Sequence, residues 1–286
     1  MKKVAIIWIC LFLLLSTLDG RDYRFGVVCQ GDSGSVRERF LPLLKYLSRS
    51  SGQSFELQDF RSADELIAAF VHDKVDLAWI DPVTYIHLKV RDVKDLSVIA
   101  QVDEKDLLSR SQSIIVLRKE STITKLSQLR GKRFAFGSRG DLFTFYLPYD
   151  LLEREGVARR LERADFLGRS DTVAKNVIMG AYDAGVVDRH VFHLYRHFLK
   201  ILVHSDTAGK AVVVARRSIE PEFKQKIRTA LFQMNNPKVL RTLGEEVKGF
   251  VPLDTVVYDN LDRIVKRVDR ALGRRLRDSF NTVAHR

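Results

Sequence analysis

Short apolar runs recur along this chain, and the clearest of them stop at an aspartate just before a more polar, helix-like stretch begins. Val75–Ile80 is nearly continuous apolar sequence ending at Asp81-Pro82, and Ala184–Val187 ends in the same way at Asp188. A strand that is apolar on both faces has to be covered on both faces. Amphipathic helices between the runs supply that cover. The alternation therefore predicts an α/β protein with mainly parallel strands flanked by helices. No low-complexity tract and no repeat of fixed period interrupts the pattern.

Period and turn residues place the individual elements. Strands are predicted at Tyr23–Cys29, Phe55–Leu57, Val75–Ile80, Val98–Val102, Ser113–Leu117, Phe134–Phe136, Phe166–Leu167, Ala184–Val187, Lys200–His204 and Ala211–Val214. Helices are predicted over Val36–Ser48, from Ser62 through Phe70, after Pro82, and over Thr144–Glu155, Asp171–Met179 and Arg189–Phe198. Everything after Pro221 reads as helical, ending in a basic amphipathic helix over Leu261–Arg277. Two strand-helix-strand blocks with a late return to apolar strands predict two lobes. The expected division is 22–108 plus 206–286 for one lobe and 109–205 for the other.

The amino terminus reads as an export signal. Met1-Lys2-Lys3 precedes an apolar run of twelve residues, Val4–Leu15, and Ser16, Thr17, Asp19 and Gly20 then break it. Cleavage is expected after about Gly20, which makes residues 1–20 a signal peptide and the periplasm the expected compartment. An uncleaved membrane anchor is the alternative, although a helix over Val4–Leu18 would reach only about 22 Å against a hydrocarbon core of ~30 Å. Cys10 lies inside this run, so removal leaves Cys29 alone and excludes an intrachain disulfide. The chain carries 48 basic and 36 acidic residues, and residues 1–20 hold two lysines and one aspartate, so the exported part keeps a net charge of +11. The basic residues are spread along the whole length, with only local doublets such as Arg159-Arg160, Arg216-Arg217 and Arg274-Arg275, rather than clustered on one face with interleaved aromatics. A nucleic-acid partner is therefore not expected.

Several catalytic or metal signatures fail on context. Gly31-Asp32-Ser33-Gly34 resembles a protease nucleophile segment, yet almost no chain precedes it to supply a histidine and an aspartate. His190, His193 and His197 share one helix face, and His193 and His197 have the i, i+4 spacing of a metal pair. The glutamate of a zinc-protease motif is missing, and Arg189 and Arg196 would repel a cation, so no metal is expected. Arg139-Gly140-Asp141 spells an adhesion tripeptide, but three residues recur too often by chance to count. No nucleophile–base pair appears, the strand-end loops supply no histidine, and no enzyme activity or cofactor is expected.

What remains is a set of strand ends: Gly31–Ser35, Asp81–Tyr85, Gly137–Thr144, Gly168–Thr172 and Val187-Asp188. Ligands of open α/β sheets bind at such ends, beside helix N-termini. Over nearly its whole exported length the chain resembles the periplasmic substrate-binding proteins of phosphate, phosphite and phosphonate ABC transporters. The resemblance rests on Phe25-Gly26-Val27-Val28, on Leu41-Pro42-Leu43 with Tyr46-Leu47, on Val75–Tyr85, on Leu126–Gly137 and on Asp183–Asp188, in that order and spacing.

That resemblance implies a two-lobed clamp of the type 2 periplasmic-binding-protein kind. The clamp closes on a small ligand in an interlobe cleft and hands it to a membrane permease. A membrane sensor kinase or chemoreceptor is the alternative partner, since a sensory clamp would share fold and pocket. Tyr85 matches the family's pocket tyrosine, with Asp81 where a glycine is usual, and Asp188 matches an aspartate that pairs with a ligand amine. The family's Ser-Thr-Ser-Gly run around the phosphonate oxygens is replaced by Asp141, Leu142, Phe143 and Thr144 in an ungapped alignment from Gly137 to Pro148. The family's histidine before an aspartate is replaced by Ser170 before Asp171. The expected ligand-binding set is therefore Asp81, Tyr85, Ser138, Asp141, Phe143, Thr144, Ser170 and Asp188. Specificity is expected to be altered, away from phosphonate and toward an amine-bearing ligand if the aspartates converge; a helix-capping role for Asp141 is the simpler alternative.

Overall fold

The computed structural model describes residues 22–29, 33–90, 96–104, 113–205 and 209–283, with the backbone alone for Ser33 and 274–283. The expected signal peptide, the loop residues Gly31 and Asp32, and the two crossings between the expected lobes, 105–112 and 206–208, lie outside the described residues.

The chain begins with β1 (Asp22–Val28), α1 (Ser33–Ser51), β2 (Ser54–Phe60), α2 (Ala63–Val71), β3 (Leu77–Ile80), α3 (Pro82–Val90) and β4 (Leu96–Glu104). A second series follows: β5 (Ser113–Arg118), β6 (Arg133–Phe136), α4 (Leu147–Arg154), β7 (Arg163–Phe166), α5 (Ser170–Ile178), β8 (Ala184–Asp188), α6 (Arg189–Tyr195) and β9 (Leu199–His204). The chain then returns through β10 (Val212–Arg216), α7 (Pro221–Phe232), α8 (Pro237–Leu243), β11 (Val247–Val251) and α9 (Thr255–Val283). Six strands form the first sheet in the order β11-β4-β10-β3-β1-β2, and five form the second in the order β7-β6-β8-β5-β9.

This is the expected two-lobed α/β architecture, with two corrections. Pairing is mixed rather than mainly parallel. β1 pairs parallel with β2 and β3, as β6 does with β7 and β8, whereas β4, β5, β9, β10 and β11 all pair antiparallel. The antiparallel strands include those on either side of the two crossings. A chain that leaves one sheet and comes back enters against the direction of its βαβ units. The second correction is β11, which falls inside the stretch read as wholly helical. Gly249 and a register shift beside it hide a short strand that closes the edge of the first sheet against β4.

Burial explains why these segments fold as they do. Leu43, Leu44 and Leu47 turn one face of α1 into the core, where Phe25 and Leu77 of the sheet meet them. Burying such a side chain contributes about 1.5–3 kcal/mol. Ser62 caps α2, accepting from Glu65 N–H, as its place before the apolar run predicts.

The longest helix, α9, ties the two sheets together. Its Tyr258 packs edge-on against Tyr85 of α3, with ring centroids 5.2 Å apart. One turn and more beyond, Arg267 donates to the fully buried Asp150 of α4 at 2.6 Å. The largest apolar cluster accordingly runs from Val83 and Ile86 through Leu261, Val265 and Val268 to Phe145 and Leu147. Among the described residues no helix is long and apolar enough to cross a membrane.

Candidate functional site

The carboxyl ends of β1, β2, β3 and β6 face a cavity of about 480 Å³ between the lobes. Val28, Arg61, Ser62, Asp64, Asp81 and His87 are among the lining residues of the first lobe. Arg139, Asp141, Phe143 and Tyr146 are among those of the second. The volume is in the ordinary range for a small-molecule site.

Two helical N-termini point at this space, and each is capped by the chain's own carboxylate. Asp81 follows β3 and opens α3. Its Oδ1 accepts from Val83 N–H at 2.9 Å and Thr84 N–H at 3.0 Å, while the Thr84 hydroxyl donates to Oδ2. Pro82, the first residue of the helix, has no N–H to satisfy. Asp141 does the same for a π-helical turn, Leu142–Tyr146, that leads into α4. Its Oδ1 accepts from Phe143 N–H at 3.0 Å, Thr144 N–H at 2.6 Å and Thr144 Oγ1 at 2.8 Å.

The loop that presents Asp141 folds tightly on Thr144. Ser138 N–H donates to Thr144 Oγ1 at 3.2 Å, and Gly137 N–H donates to Thr144 O at 3.2 Å. A Cβ on Gly137 would sit 2.5 Å from Thr144 Cβ and Oγ1, so the loop needs glycine there. Burial pushes the Asp141 carboxyl upward. The hydrogen bonds from Thr144 and Phe143 oppose that, and the charge of Asp81 across the cavity pushes the same way as burial. Two carboxylates thus line one cavity, and the charge of Asp81 adds to burial in raising the cost of ionising Asp141.

The cavity's back wall is pinned by α9. Asp269 accepts from Tyr146 OH at 3.0 Å through Oδ1 and meets His87 Nε2 at 2.9 Å through Oδ2. One carboxylate therefore joins a first-lobe wall residue to a second-lobe one. Burial first, then Asp269, pushes the Tyr146 hydroxyl far up, so it stays a donor at any ordinary pH.

Of the expected site residues, Asp81, Asp141 and Phe143 line the cavity, and the other five have different surroundings. Tyr85 is buried beneath Tyr258, with the Lys89 ammonium 5.7 Å from its ring centroid. Ser138 donates to Gly168 O at 2.8 Å, and Thr144 holds the loop as described. Ser170 accepts from Asp188 N–H at 3.3 Å, and Asp188 caps α6 through Val191 N–H at 2.8 Å. Two of the three aspartates converge, and Asp188 stands apart from them.

Sequence reasoning missed Arg61, Ser62, Asp64, His87, Arg139 and Tyr146. The signal for the first three was the strand end after Phe60, hidden because β2 was read as stopping at Leu57. Arg139 and Asp141 belong to the tripeptide set aside as chance.

Two sheets with their strand ends turned toward a shared cavity define the class of two-lobed α/β binding proteins, and known proteins agree. The family described as "ABC transporter, phosphonate, periplasmic substrate-binding protein" matches residues 25–258. The chain belongs to that family. It is 25% identical over 166 residues to the probable ABC transporter phosphite-binding protein PhnD1 of Prochlorococcus marinus (strain MIT 9301). That alignment takes in 55% of this chain and 49% of the relative, so the chain spans about half the length of the curated relative it matches. Among solved structures, PhnD1 of the same organism in complex with methylphosphonate superposes with a TM-score of 0.68 at 18% identity, over 87% of this chain and 99% of that one. XAC2383 from Xanthomonas citri, bound to ATP, superposes with a TM-score of 0.75 at 21% identity, over 87% of this chain and 98% of that one. At these identities the likeness is one of fold.

Proposed function

We propose that this protein captures a small amine-bearing solute between its lobes in the periplasm and delivers it to the membrane permease of an ABC-type importer. Family membership supports the transport role and the permease as partner. The observation that carries the ligand class is the pair Asp81 and Asp141, two capping carboxylates on opposite walls of one cavity.

A helix N-terminus attracts anions because its first N–H groups lack partners. Here those N–H groups are already bonded to Asp81 and Asp141, so a phosphonate would have to displace a carboxylate or sit beside one. Two like charges about 4 Å apart repel by about 4 kcal/mol at an effective dielectric near 20. An ammonium placed between the same two side chains gains what the phosphonate loses, and it relieves the repulsion that raises the Asp141 carboxyl. Asp141 keeps acceptor capacity for it, since its three donors among the described residues all meet Oδ1. Arg61 and Arg139 also line the cavity, but both are exposed side chains, and Arg139 lies over the Phe166 ring at 4.6 Å.

Calorimetric titration with methylphosphonate and with a panel of primary, quaternary and amino-acid amines tests the reading. An amine should bind, and Asp141→Asn should weaken it at least tenfold. A ligand at 100 times its dissociation constant should raise stability by about 2.7 kcal/mol in a parallel thermal-shift screen. Submicromolar affinity for a simple alkylphosphonate, with no response to amines, would overturn the proposal.

A further inference from the structure

The cleft does not end at Asp81. A second cavity of about 370 Å³ lies over the carboxyl ends of β1 and β3, beneath the first turns of α1, and Val28 and Asp81 line both spaces. The two cavities are therefore neighbours, and Asp81 is the charged residue on the boundary between them.

Their linings differ. Among the described residues the interlobe space carries five charged side chains from both lobes, namely Arg61, Asp64, Asp81, Arg139 and Asp141. The annexe belongs to the first lobe, and among the described residues its walls are aliphatic, aromatic, thiol or hydroxyl groups apart from Asp81 and Arg39. Trp79 and Phe40 form the aromatic part, meeting edge to face with centroids 5.4 Å apart. Trp79 is held from the far side by Phe250 at 6.0 Å, again edge to face. The Arg39 guanidinium lies over the same aromatic wall, 5.2 Å from the Phe40 centroid and 6.0 Å from that of Trp79. Trp79 is half-buried, which leaves part of its ring for something else to cover.

We propose that this annexe is a specificity subsite that takes the apolar arm of the ligand, an alkyl or aryl group carried by an amine whose cationic head stays at Asp81 and Asp141. This rests on the amine reading of the cleft and extends it from a charge to a shape. The placement of polarity argues for it. Asp81 stands where the apolar wall begins, so a head held there projects its substituent either into the annexe or back among the charged side chains of the interlobe space. Apolar surface gains free energy only in the first direction.

A homologous series tests the idea. Ethylamine, butylamine, hexylamine and 2-phenylethylamine are titrated into the full chain carrying Trp8→Phe. The sequence has two tryptophans, so this change leaves Trp79 as the single fluorophore. Each methylene placed against the annexe wall should raise affinity about fourfold. The emission of Trp79 should shift with 2-phenylethylamine and hardly move with ethylamine. Ala211→Leu, which fills the annexe from the β10 side, should flatten the series. The chain-length series on the unsubstituted protein decides the matter even where that variant fails to fold. If ethylamine binds and affinity stays level along the series, the annexe proposal is wrong and the cleft reading stands. If no amine binds, the cleft reading fails and the annexe proposal falls with it. A rising series that Asp81→Asn leaves untouched would remove the amine head from Asp81 and overturn both.

Discussion

In both lobes the edge of the sheet away from the cleft is closed by the same kind of ion pair, while the edges facing the cleft are built differently. Near the start of β1 is Arg24, whose backbone N–H and Nε both donate to Asp76 Oδ2 at 2.9 Å. β6 opens on Arg133, whose backbone N–H and Nε reach Asp183 Oδ2 at 2.9 and 3.4 Å. In each lobe the guanidinium also bonds the carbonyl three residues before the aspartate, Asp73 O at 2.7 Å and Gly180 O at 3.0 Å. Those two residues have φ of 57° and 78°, the left-handed turn that lets the chain leave a helix and enter a strand. The parallel registers agree as well: Phe25 faces Leu77, and Phe134 faces Ala184. The lobes are thus two copies of one βαβ device at their scaffold ends. At the cleft ends the likeness breaks: Asp81 and Asp188 both cap the helix after the central strand, but only Asp81 reaches the cavity. The part that must be rigid is repeated, and the part that must recognise something is not.

The sharpest way to break this comparison is at the scaffold end. Asp76 is buried and bonded to both Arg24 and Arg216, whereas Asp183 is part-exposed and bonded to Arg133. Asp76→Ala should cost about 3–5 kcal/mol in urea unfolding, because it strands buried positive charge. Asp183→Ala should cost about 1 kcal/mol. Burial alone would raise the Asp76 carboxyl, but the Arg24 and Arg216 bonds outweigh it and hold it low. Burial likewise works upward on Asp183 and is outweighed by Arg133. A depressed carboxyl contributes stability above its unfolded value, about pH 4, and loses it as pH falls through the folded one. Acid titration of wild type should therefore show a loss of stability below about pH 4, and Asp76→Ala should blunt that loss more than Asp183→Ala does.

A second test addresses the junction. A Cβ on Gly209 would stand 2.6 Å from Leu261 of α9, 2.8 Å from Leu142 of the second lobe and 2.9 Å from Pro82 of the first. Gly209→Val should cost about 1–3 kcal/mol through overpacking where all three meet, and small-angle scattering should show the lobes wedged apart.

Smaller effects sharpen the comparison of caps. Ser62 caps α2 with its side chain, but Arg169, at the corresponding place before α5, makes no side-chain cap. Ser62→Ala should cost about 1 kcal/mol, and Arg169→Ser should gain about 0.5 kcal/mol. Smallest of all is the stability effect of Asp141→Asn, since asparagine caps nearly as well. Because burial and Asp81 raise the Asp141 carboxyl, the wild type bears a cost when that group ionises and none when it is protonated. The variant should be more stable by less than about 1 kcal/mol at neutral pH, with the difference vanishing in acid. A variant less stable at neutral pH than in acid, relative to wild type, would contradict the facing-carboxylate geometry.

Much of the fold was legible because burial writes itself into sequence: β3 and most of β8 are apolar runs, β1 ends in one, and α1 shows its leucines at helical spacing. β11 was not, since Lys248 and Gly249 break the apolar pattern in a five-residue strand. The repeat between the lobes escaped notice because it survives chiefly in hydrogen bonding, with Arg24-Phe25 and Arg133-Phe134 its faint trace in the letters. The site was read less well. An aspartate that caps the helix after a strand looks the same in sequence whether it also lines the cavity, as Asp81 does, or does not, as with Asp188. Tyr85 was placed correctly on its helix, but the face it shows depends on Tyr258, far along the chain.

The span of α9 has a mechanical consequence. Tyr258 fastens it to one lobe, Arg267 to the other, and Asp269 to the walls of both. A rigid swing of one lobe away from the other would leave such a brace behind or snap it. Movement that keeps these bonds has to slide or flex the brace itself, so filling the pocket should be felt along the last helix as tension, at a distance from anything the ligand touches.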